Sequence, residues 1–146
     1  MNELFHSNFF DFNINMTTQQ QQYIAQWHDS FVNYIGSLFG VITELVTRPE
    51  ASPEDKEVLE GIKIMLNGKD AIDVERDLAA GIVKESTLDK IEKINRDLAD
   101  TCLEHIQMHP LVREFWKQMA HIQISQNKRA EEMRLHAIHI PIYSDK

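Results

Sequence analysis

Hydrophobic and polar positions alternate along this chain at two periods. Between residues 10 and 15 the period is two, with Phe10, Phe12 and Ile14 alternating with Asp11, Asn13 and Asn15. That is the pattern of a short strand or an extended arm. From Thr17 onward the period becomes helical. On a wheel of about 100° per residue, Ile24, Trp27, Phe31, Val32, Ile35, Leu38, Phe39, Ile42, Leu45 and Val46 share one side. Asn33, Gly36, Ser37 and Gly40 lie opposite. Thr17 or Thr18 supplies the N-cap. The helix ends near Thr47, because Pro49 keeps the residue before it out of the α region. Its apolar arc covers about half the circumference, wider than a surface helix requires. A helix of this kind is expected at the centre of the fold or against a second chain.

Four further helices follow. Ser52 caps the second, with Pro53 at its first position and Glu54 and Asp55 near its positive end. Its apolar residues are Val58, Leu59, Ile62, Met65 and Leu66, and Asn67-Gly68 stops it. A shorter third helix over 70–80 carries Ile72, Val74 and Leu78 and ends at Gly81. Ser86-Thr87-Leu88-Asp89, a capping-box variant, is predicted to open a fourth helix that runs to His109, where Pro110 interrupts. The fifth places Leu111, Val112, Phe115, Trp116, Met119, Ile122, Ala130, Met133 and Ala137 on one side and fades near His139. Pro141 then leaves an extended tail, Ile140 to Tyr143.

These elements predict an all-α fold. It is a single-domain antiparallel bundle of four to five helices, with the first, fourth and fifth as its main body. An extended arm at 1–16 precedes the bundle at 17–139, and a tail at 140–146 follows it. The apolar ends, 10–14 and 138–142, either pair as a small two-stranded patch or dock on a neighbouring subunit. Gly36 and Gly40 either permit a close helix approach or weaken the helix locally.

Composition agrees with the helical reading. The 146 residues include only 5 glycines and 4 prolines, which excludes collagen-like and low-complexity chains and argues against a turn-rich β fold. The formal charge of −8 is unevenly placed. Residues 1–49 hold one basic and four acidic side chains, residues 50–104 eight and fifteen, and residues 105–146 six and four. An acidic middle repels phosphate, so no nucleic-acid partner is expected. Lys128, Arg129 and Arg134 lie beyond the polar Gln123, Gln126 and Asn127 on the fifth helix. That basic end either meets the acidic middle of another subunit or projects into solvent.

The apolar stretch Phe31 to Val46 falls short of the roughly 20 residues a membrane span needs, so no membrane is expected. MNELFHSNFF lacks the basic and apolar regions of a secretory signal. One cysteine excludes an internal disulfide and fits a reducing compartment. A cytoplasmic protein is expected.

One cluster has the residue types for chemistry. Cys102, His105 and His109 fall on the apolar side of the fourth helix, and His28 on that of the first. Histidines at i and i+4 stack on one helix face and can share a metal ion, and Cys102 adds a soft ligand. Four such groups from two helices make a transition-metal site, or two histidines flank a haem. The plainer account is a buried cysteine acting as a small hydrophobe and ordinary core histidines, one of them at a helix C-terminus. A ferritin-like di-iron centre needs Glu-x-x-His on two helices, whereas Glu104 directly precedes His105. Glu54, Asp55, Glu57, Asp73, Glu75 and Asp77 are read as solvated charges.

There is no Gly-rich phosphate loop, Gly-x-Ser-x-Gly elbow or His-Glu-x-x-His. The expected role is therefore a non-catalytic cytoplasmic protein–protein interaction or regulatory module that self-associates. Its partner is another protein or a second copy, and no cofactor is needed. The alternative is a metal- or haem-binding bundle using His28, Cys102, His105 and His109. A third reading is a small-molecule binder or enzyme with an apolar pocket under Trp27 and Trp116.

Overall fold

The structure, a computed structural model, describes residues 17–135 and 140–145, with the side chains of 126, 127 and 129–135 excepted. The described residues are all-α. The arm at 1–16 and the end of the last helix near His139 lie outside them.

Local cap chemistry sets the first boundaries. α1 (Thr18–Val46) opens on a reciprocal box. Gln20 N–H donates to Thr17 Oγ1 at 3.1 Å and Thr17 N–H to Gln20 Oε1 at 2.9 Å. α2 (Pro53–Leu66) repeats the device. Asp55 N–H donates to Ser52 Oγ at 3.0 Å and Ser52 N–H to Asp55 Oδ2 at 3.3 Å. α3 (Lys69–Ala79) follows after Asn67 and Gly68. Gly81, at φ 75°, turns the chain out of α3 through the left-handed region that glycine enters without strain. The Gly81 and Ile82 amides then reach the Leu78 and Asp77 carbonyls at 3.0 and 2.9 Å.

α4 (Glu85–His105) departs from the sequence reading at both ends. Its N-cap position is Lys84, so Ser86 and Thr87 lie in the first turn instead of opening the helix. Its first amides are satisfied from other places. Lys84 N–H donates to Thr87 Oγ1 at 3.2 Å, Glu85 N–H to the Tyr143 carbonyl at 3.0 Å, and Ser86 N–H to Asp145 Oδ1 at 3.4 Å. The other end closes at His105, not His109. Pro110 opens α5 (Pro110–Leu135), and its ring drives His109 out of helical geometry. The Arg113 guanidinium caps the corner, donating twice to the Ile106 carbonyl at 3.1 and 3.0 Å.

The tail reads as extended, and its partner is the α3–α4 corner. Tyr143 N–H donates to the Val83 carbonyl at 2.9 Å, and Tyr143 forms a parallel bridge with Lys84. The alternative partner, 10–14, lies outside the described residues.

Packing follows from the apolar stripes. Leu38, Ile42 and Leu45 of α1 meet Leu59, Ile62 and Leu66 of α2, Val74 and Leu78 of α3, and Val112, Phe115 and Met119 of α5 in one core. Each large side chain removed from water contributes about 1.5–3 kcal/mol. α1 packs along α2, α3 and α5, while α4 packs on α3 and α5. The short helices α2 and α3 are thus part of the main body, a correction to the reading that gave it to the first, fourth and fifth. The reason is that Leu59, Ile62 and Leu66 of α2 and Ala71, Val74 and Leu78 of α3 are buried and supply two walls of the core.

The direction of the helices follows from three contacts. His109, at the start of α5, lies beside Asp55 at the start of α2, which the loop after α1 reaches directly. Midway along α1, Tyr34 bonds to Gln123 of α5 and Asn95 of α4. α5 therefore runs antiparallel to both α1 and α4.

Asp55, Asp73 and Asp77, expected in solvent, are buried. Each has partners that offset its desolvation. Asp55 closes the α2 capping box, Asp73 faces Lys69, Arg76 and Lys90, and Asp77 accepts from the Thr87 hydroxyl at 2.8 Å. Glu54, Glu57 and Glu75 are exposed, as expected.

Candidate functional site

Two places in the fold bring distinctive side chains together. The first is an open cleft of about 270 Å³ between α1 and the α2–α3 turn. Phe31, Ile35 and Phe39, at successive turns of α1, form one wall, and Leu66, Ala71 and Ile72 form the other. The helical spacing of the α1 residues puts them on one stripe. Asn67 and Glu75 bring polar groups to the lining. Val32 and Ile72, at 39% and 52% exposure, carry apolar surface from the cleft out to solvent. Gly36 also lines it, and a Cβ added there would meet nothing within 4 Å. The α1 backbone is accordingly bare at the middle of the cleft.

His28 stands near this cleft through Glu75. Its Nε2 is buried without a hydrogen bond and lies 3.9 Å from Glu75 Oε2, while Nδ1 is 3.5 Å from Asp29 Oδ1. The side chain is 25% exposed. It faces carboxylates on the polar flank of the apolar arc.

The second place is the α4–α5 corner. Cys102 is fully buried, and burial pushes its thiol up to about 12. Such a thiol stays protonated at neutral pH, which disfavours nucleophilic attack. His105 and His109 have ring centroids 5.4 Å apart with planes tilted by 53°. They remain neighbours although His109 has left the helix, because its N–H still donates to the His105 carbonyl at 3.0 Å. His109 Nδ1 lies 3.5 Å from Asp55 Oδ1, a buried oxygen with no hydrogen-bond partner among the described residues.

The structure thus brings His105 and His109 together, sets Cys102 one turn back on α4, and engages His28 with residues of α1 and α3. Among the described residues no three His, Cys, Asp or Glu side chains are grouped so as to hold a metal ion. Trp27 and Trp116 are half-buried against the core, and neither lines the cleft.

A partly buried polar relay ties α1 to α4 and α5. Tyr34 Oη donates to Asn95 Oδ1 at 3.2 Å and accepts from Gln123 Nε2 at 2.8 Å. Burial pushes the Tyr34 phenol up, and the Gln123 contact opposes it in part.

The sequence pattern puts Val32, Ile35 and Phe39 on an apolar arc expected at the centre of the fold or against a second chain, and Ile72 on the third helix, without showing the cleft between them. One signal did point to it: an apolar arc on α1 wider than the stripe of an ordinary surface helix. No helix among the described residues is long and apolar enough to cross a membrane. No protein-family model, curated protein or solved structure matches the chain.

Proposed function

We propose that this chain is a non-catalytic interaction or regulatory module that self-associates through the α1 cleft. One observation carries the reading: the apolar cleft lined by Phe31, Ile35 and Phe39 on α1 ends in two exposed apolar side chains, Val32 and Ile72, at its rim. Apolar side chains grouped at the rim of an open cleft are a candidate contact surface.

A second copy fits this surface for a geometric reason. A two-fold interface uses the same patch on both subunits, so the patch must complement itself. The bare backbone at Gly36, flanked by Val32 and Phe39, lets one α1 cross another at close range. Ile72 of each copy then lies beside the apolar stripe of the other. Charge opposes the pairing, because each chain carries −8 and Glu75 stands in the cleft. Added salt screens that repulsion and strengthens the association. We place the module in the cytoplasm, on the strength of a single buried cysteine that enters no disulfide.

Light scattering across a concentration series is the test. The expected result is a mass that rises from one chain towards two with concentration, and rises further in high salt. Ile72→Lys, a change at a half-exposed position, is expected to hold the mass at one chain with the helical circular dichroism unchanged. A single-chain mass at all concentrations and salts overturns the reading.

A further inference from the structure

We draw no further inference here: the strongest candidate, the side-chain cluster of His105, His109 and buried Asp55 where the α4–α5 corner meets the start of α2, belongs to the candidate site already described, where its two rings and carboxylate are not grouped so as to hold a metal ion.

Discussion

Asp73 has Lys69 at 2.8 Å, Arg76 at 3.0 Å and Lys90 at 3.2 Å around a carboxylate that is 3% exposed. Hydrogen bonds from Lys69 and then Lys90 hold its carboxyl at about 2, well below the ordinary value. Because the folded value is depressed, the stabilisation is fully present above the unfolded value of about 3.9. It is lost as pH falls through the folded value. Asp73→Asn is expected to lower stability at pH 7 and to flatten the fall in stability between about pH 4 and 2, measured by urea denaturation across that range. Cys102 makes a second check. With its thiol buried and protonated, it is expected to react with a disulfide reagent only after unfolding, and fast labelling of the native chain would contradict its placement. Gly40→Ala, where an added Cβ meets nothing within 4 Å, is expected to stabilise the chain by up to about 1 kcal/mol in the same denaturation assay. Asp73 was not legible as a buried residue, because Lys90, one of its partners, arrives from a different helix. Spacing along α3 shows where charges lie on that helix and is blind to what faces them.

Where an element's ends depend on neighbours in sequence, the pattern gave them closely. Thr17 with Gln20, Ser52 with Asp55, and the Gly81 turn all act within a few residues, and α1, α2 and α3 start or stop as read. α4 was misread at its start for the opposite reason. Its caps come from Tyr143 and Asp145, and Ser86, the apparent cap, donates its amide instead. The i and i+4 pairing of His105 and His109 was also legible, but the break at Pro110 moved His109 towards Asp55 of α2. Contacts between elements can be probed individually. Thr87→Val removes the hydroxyl that serves buried Asp77 and is expected to cost about 1–3 kcal/mol. Tyr34→Phe breaks the relay joining α1, α4 and α5 and is expected to cost about 1–2 kcal/mol. Urea midpoints at pH 7 measure both, and a change within error would show that water serves these groups equally well.

At the scale of the whole molecule, the bundle was legible because most of its apolar positions have helical spacing. The cleft was not. Periodicity says that Phe31, Val32, Ile35 and Phe39 share one side of α1, but not which part of that side other helices cover. Phe31 is buried while Val32, about 100° further round the helix, stays exposed. The His28, Cys102, His105 and His109 seam was legible as residue types on helix faces. Its division between two places depends on packing that no spacing reveals. The central claim is that the open wall covers a second copy of itself. Sedimentation velocity on the wild-type chain and on Val32→Glu, at matched concentrations and high salt, tests it most directly. The account predicts a concentration-dependent shift towards a two-chain species for the wild type and a single-chain species for Val32→Glu with unchanged helical content. A wild-type chain that sediments as one chain throughout, or a Val32→Glu variant that pairs as well as the wild type, would contradict it.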